Sequence, residues 1–147
     1  YTVGSVSADS LTALGRERLQ QVGTTYKKAD YILDLAEQVR RGTLDPEQLW
    51  SLSDEDVIRE LTKLKGVGVW TAEMILIFFM QRPNVLSFGD LAILRGLRML
   101  YLHRQIDRVR FERYRKRYAP YGTVASLYLW AIAGGAIPEL TDPSVGK

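Results

Sequence analysis

Asp90 is the residue whose type and placement could do chemistry. It follows a break at Pro83-Asn84 and opens a stretch, to about Tyr101, with helical apolar spacing. A helix N-terminus favours the ionised form of an acid, because unpaired amides and the helix dipole face the negative charge. An ionised carboxylate so held can stabilise a developing positive charge and orient or deprotonate a water molecule. Taken alone, Asp90 is also an ordinary helix cap, a role for which Asp is preferred. The rest of the catalytic vocabulary is small. The chain has no cysteine and one histidine, His103. It therefore offers no disulfide, thiolate zinc site or iron–sulfur cluster, and a histidine-based triad or side-chain metal site is not expected. His103 is expected on the surface, leaving carboxylates, lysines, hydroxyls and backbone groups.

A second constellation lies upstream. Leu61 to Ala72 reads as helix, tight Gly-x-Gly hairpin, helix, with Val67 between Gly66 and Gly68. Such glycines allow positive φ and close approach of another molecule. The helix that follows presents unpaired N–H groups from its positive end, near Thr71, an arrangement suited to one phosphate of a nucleic-acid backbone. Lys63 and Lys65 would add attraction without reading sequence. The plainer reading is a tight connection between packed helices. Net charge is only +3, but Arg95 to Arg117 carries nine lysines and arginines against Asp107 and Glu112. That strip fits either a polyanionic partner or a solvated helix face. Arg95, Arg98, Arg113 and Lys116 are its candidates for phosphate contact. Glu73, the lone charge in the apolar helix after the hairpin, lies one turn from Trp70 and could stand near the same site, but a salt bridge with a partner such as Arg95 or Arg98 is the favoured expectation.

The elements that must position these residues are helical nearly throughout. Ser7, Asp9 and Ser10 start a short helix to Leu14, and a second runs from Arg16 to Val22, stopped by Gly23. Thr24 or Thr25 caps Tyr26 to Arg41, and Asp45-Pro46 starts another short helix. Ser53, with acids behind it, caps a helix from Asp54 to Leu64. Val69 to Gln81 is apolar on nearly all sides, so it is expected to be buried. Helices at about 108–118 and 123–133 follow Asp90's own, with Tyr114, Tyr118, Tyr121 and Tyr128 spaced as packing residues. No strand is predicted, and the fold class is all-α. The chain's 147 residues, 46% hydrophobic and 25% charged, suit one domain or two small lobes. The expected division is a domain at 1–137 and a tail at 138–147. The longest apolar run, Met74 to Met80, is too short to span a bilayer, and no signal peptide is visible.

Leu64-Lys-Gly66-Val67-Gly68-Val-Trp70-Thr71-Ala72 followed by Asp90-Leu91-Ala92-Ile93 resembles the helix-hairpin-helix DNA glycosylase superfamily. It is most similar to the alkylation-repair branch, 3-methyladenine DNA glycosylase II. The likeness runs from about Leu11 to Ile132, with weaker matches at 23–29 and 118–130. It implies base excision: hydrolysis of the N-glycosidic bond of alkylated purines in duplex DNA, through an oxocarbenium-like transition state that Asp90 would stabilise. Bifunctional relatives carry a Schiff-base lysine where Trp70 stands, so the resemblance implies a monofunctional enzyme that leaves an abasic site. Trp70 and Trp130 would be electron-rich walls for a cationic base, each such contact worth about 0.5–2 kcal/mol. Trp130 also reads as core packing. Met74 and Leu91 occupy pocket positions that can be aromatic in the family, implying a differently shaped pocket. Where the family usually has Pro, and often a second acid, this chain has Ser87-Phe88-Gly89.

The resemblance further implies a monomer acting on double-stranded DNA with a damaged base, with no membrane association and no cofactor. It allows a structural monovalent cation at the hairpin backbone carbonyls. The setting would be the bacterial cytoplasm (nucleoid) or a eukaryotic nucleus. The family's wedge side chain comes from a helix before the region matching Leu11, so the N-terminal helices of the fold are expected to be missing here, with weak DNA binding and poor excision as the consequence. Two other readings stay open: a non-catalytic hairpin module that grips the DNA backbone, and a glycosylase for another damaged base. The absence of a Schiff-base lysine and a four-cysteine cluster argues against the endonuclease III-like and adenine-mismatch branches.

Overall fold

The computed structural model describes residues 6–145. The outer ends of the expected domain and tail, 1–5 and 146–147, lie outside the described residues. Among the described residues there is no strand, and none of their helices is long and apolar enough to cross a membrane. The chain divides into two compact units, Tyr1–Gly68 and Val69–Lys147.

In the first unit, Ser7 caps α1 (Ala8–Gln21) in a capping box with Ser10. Gly15, at φ 78 and ψ 170, breaks α1 into two helices, as the two expected starts require. Thr25 caps α2 (Tyr26–Arg40), which is tied to α1 by Arg16–Asp30 at 2.5 Å and Arg40–Asp9 at 2.9 Å. Asp45 caps α3 (Pro46–Trp50) and Ser53 caps α4 (Asp54–Leu61). The last of these is one turn shorter than its apolar pattern suggests. Thr62 closes it by donating its hydroxyl to the Ile58 carbonyl at 2.8 Å, and tighter turn bonds replace helix through Leu64.

In the second unit, α5 (Val69–Met74) runs on into a π-helical stretch, Ile75–Phe79. Here the Met80 N–H reaches back five residues to the Ile75 carbonyl at 2.9 Å. The expectation that this helix is buried all round fails. Phe78 and Phe79 are 63% and 67% exposed, while Ala72, Leu76 and Ile77 face inward. The wider π turn carries one residue more than an α turn and so rotates the downstream side chains away from the face that α-helical spacing assigns them.

Loop 80–90 leads to α6 (Leu91–Tyr101), then come α7 (Arg108–Tyr118) and α8 (Gly122–Ala133). The core joins Leu86, Ile93, Leu97, Ile106, Phe111 and Leu129. At Gly96, α6 and α8 come so close that a Cβ would lie 2.4 Å from the Leu129 carbonyl oxygen. The first turn of α8 also anchors the loop that delivers Asp90. Thr123 donates its N–H to the Pro83 carbonyl at 3.0 Å, its hydroxyl accepts from the Val85 N–H at 3.1 Å, and Ser126 donates to the Val85 carbonyl at 2.9 Å.

Candidate active site

Asp90 caps α6 with an extended backbone and is only 7% exposed. Its Oδ1 accepts the Ala92 N–H at 2.9 Å and the Ile93 N–H at 3.0 Å. Its Oδ2 accepts the Trp70 indole N–H at 2.8 Å, spanning the twenty residues that separate the two in sequence. Burial pushes the carboxyl pKa up, but hydrogen bonds from Trp70, Ile93, Trp130 and Ala92 outweigh it and hold the group below the usual carboxylate range. Among the described residues no cation pairs with Asp90, so its charge is held by dipoles and stays available to a cationic partner.

The two indoles meet at this carboxylate. Trp70 is half exposed and Trp130 partly buried, with Phe78 stacked on Trp130 at 5.7 Å between centroids and 14° between planes. Beside Asp90 a cleft of about 390 Å³ is lined by Leu91, Ala92, Arg95, Trp130, Ala133 and Gly134. Leu91 and Trp130 thus come together. Met74 lies one helical turn from Trp70 but does not line this cleft. Phe78 was not foreseen as a neighbour of Trp130, although 70, 74 and 78 share one helical stripe.

Glu73 departs from expectation. It accepts a short hydrogen bond from the Ser87 hydroxyl, while Arg98 takes Asp142 at 2.5 Å and Arg95 stands 3.9 Å from the same acid. The loop path accounts for this, because it buries Ser87 completely with its hydroxyl on Glu73 of α5. Burial raises the Glu73 pKa, opposed by the Ser87 hydrogen bond and by the charges of Arg108 and Arg115.

At the hairpin the two glycines differ. Gly66 has φ +81, and a Cβ on it would lie 2.1 Å from the Tyr31 ring, so the fold itself demands glycine there. Gly68 lies outside the positive-φ region, contrary to expectation, and a Cβ on it would meet nothing within 4 Å. Val67 is partly buried. Lys63 is paired with Glu60 at 2.6 Å; Lys65 is exposed with no ion pair among the described residues. Thr71 is partly buried on α5. In this turn the carbonyls of Leu61 and Leu64 accept the Leu64 and Val67 N–H groups at 3.1 and 3.2 Å.

Residues 2–120 match the HhH-GPD superfamily of base excision DNA repair proteins. The chain belongs to that superfamily. DNA-3-methyladenine glycosylase 1 of Schizosaccharomyces pombe is 36% identical over 119 residues, covering 78% of this chain and 51% of that protein. The crystal structure of a Bacillus halodurans DNA-3-methyladenine glycosidase superposes with TM-score 0.78 at 39% identity, over 92% of this chain and 63% of that one. The S. pombe 3-methyladenine DNA glycosylase in complex with abasic DNA also gives 0.78, at 30% identity, over 92% and 66%. This HhH-GPD chain therefore spans about half the length of the curated relatives it matches, 43% and 51% for two of them. Within it, Ser87 of the Ser87-Phe88-Gly89 segment is the residue that binds Glu73.

Proposed function

We propose that this chain is the catalytic-centre portion of a monofunctional DNA glycosylase that hydrolyses the N-glycosidic bond of alkylated purines, 3-methyladenine type, in duplex DNA. The observation that carries it is the ionised Asp90 carboxylate, held by neutral donors beside two indoles. As the bond to the departing base breaks, positive charge grows on the sugar; Asp90 lowers the energy of that state and directs water to it. Trp70 and Trp130, with Leu91 and Met74 nearby in sequence and helix register, would wall the pocket of a base already made a good leaving group by its charge. An indole at position 70 cannot form a Schiff base, so the product is an abasic site and the strand stays intact.

Hairpin residues Lys63, Lys65, Gly66, Val67, Gly68 and Thr71 would hold one backbone phosphate, with Lys65 the better-placed cation since Lys63 already has Glu60. The active species would be a monomer on double-stranded DNA, its chemistry needing only these groups. The S. pombe relative bound to abasic DNA supports the product assignment.

The test is release of 3-methyladenine from alkylated duplex DNA by the wild type and by Asp90→Asn, with borohydride added to parallel reactions. Release lost in the variant while duplex binding persists, with no trapped adduct, is the expected result. Equal release by both proteins would remove Asp90 from the chemistry, and a trapped covalent complex would overturn the monofunctional assignment.

A further inference from the structure

The positive strip noted in the sequence is sorted by the fold. The one acid inside α7, Glu112, takes Arg108 at 3.1 Å and Arg115 at 2.9 Å. The other side of the helix carries Arg110, Arg113 and Arg117, spaced i, i+3, i+7, and none of these has an ion pair among the described residues. They do not simply project into solvent. Together with His103 and Tyr114 they line a pocket of about 420 Å³.

That pocket is braced. His103 Nε2 lies 2.7 Å from the Tyr114 hydroxyl, and the Tyr114 ring stacks on Tyr101 at 4.2 Å between centroids. The Tyr101 hydroxyl in turn lies 2.9 Å from that of Tyr118. Arg110 is fixed by donating to the Gln105 carbonyl at 2.8 Å. His103 follows the C-terminal end of α6, whose N-cap is Asp90, so eleven residues of helix, about 16 Å at 1.5 Å per residue, separate this pocket from the carboxylate.

We propose that this pocket binds the phosphate group of a nucleotide. Three arginines without an acid partner lining one cavity match the several acceptor oxygens of a phosphate better than a single carboxylate, which one planar fork can satisfy. The Tyr114 hydroxyl and the His103 imidazole add polar groups to the same lining. The phosphate reaches the pocket either on a free mononucleotide or on the backbone of a bound strand, and the chemistry of recognition is the same. The inference is independent of the role given to Asp90.

His103 is the only histidine, so each of its two ring C–H groups gives one imidazole signal in a ¹H–¹³C NMR spectrum, with no other residue to confuse it. The protein would be titrated separately with inorganic phosphate, deoxyadenosine monophosphate and an undamaged duplex. A saturable shift of the His103 signal is expected with at least one of them, weakened about tenfold or more in Arg113→Glu/Arg117→Glu. Saturation by the mononucleotide but not the duplex assigns a free ligand; saturation by the duplex assigns a strand contact. No saturable shift with any probe, or a shift equally strong in the double variant, overturns the proposal. Both substituted positions are exposed, and a circular dichroism spectrum matching the wild type keeps the comparison valid.

Discussion

Two indoles and two backbone amides hold Asp90, and the indole of Trp70 can be removed without touching the helix end. Phenylalanine at position 70 keeps an aromatic wall and deletes the donor to Oδ2. Because that bond favours the ionised carboxyl, its loss lets burial raise the pKa of Asp90 back toward or above the ordinary range. A wild-type pH–rate profile for base release should therefore stay level down through the usual carboxylate range, falling only in more acid solution. In Trp70→Phe the acid limb should move to higher pH; an unmoved limb would show that the indole does not set the ionisation of Asp90. Asp90 and Trp70 were singled out in the sequence by the hairpin and the helix start that carry the family resemblance, but the hydrogen bond between them was not foreseen. Nor was the role of Ser87, since its bond to Glu73 depends on how loop 80–90 folds over α5, and opposite charge pointed instead to arginines that Asp142 claims.

Element order was readable from apolar spacing and caps: Ser7, Thr25, Asp45, Ser53 and Asp90 all cap the helices that follow them. Periodicity failed where the period itself changes. Spacing at 3.6 residues per turn aligns Phe78 with Trp70, but it does not foresee that the π stretch Ile75–Phe79 leaves both Phe78 and Phe79 exposed. At the hairpin, two glycines that look alike in sequence make different predictions. Gly66→Ala must strain a positive φ and displace Tyr31, so a loss of about 1–3 kcal/mol in urea unfolding is expected. Gly68→Ala meets no neighbour within the chain, so stability should change by no more than about 0.5 kcal/mol. Affinity for duplex DNA should nonetheless fall in Gly68→Ala, equally for damaged and undamaged duplexes in a fluorescence-anisotropy titration. Undiminished affinity would remove Gly68 from any contact with a bound backbone and leave Gly66, which the fold requires, as the one glycine of this turn with a reason.

At the scale of the whole chain, the second unit has its own core and its own clasp. Composition and charge indicated a helical, cysteine-free protein, but not that residues near the C-terminus secure the helix bearing Asp90. The Asp142 side chain is 5% exposed and accepts Arg98 Nε at 2.9 Å and Nη2 at 2.5 Å, while Ser144 gives it both a backbone and a hydroxyl hydrogen bond. The paired guanidinium, foremost among these, holds the Asp142 carboxyl far below its usual range. An acid depressed in the folded state contributes stability that is present above its unfolded pKa and is lost as pH falls through the folded one. Asp142→Asn keeps the shape and most hydrogen bonds but removes the charge, and should cost about 1–3 kcal/mol near neutral pH. Urea unfolding of wild type and variant at neutral and strongly acid pH checks this directly. The gap should be full at neutrality and close as the wild-type carboxyl becomes protonated. A gap of the same size at both extremes would assign the loss to packing, and the absence of any gap would show that the clasp adds nothing to the unit that carries Asp90.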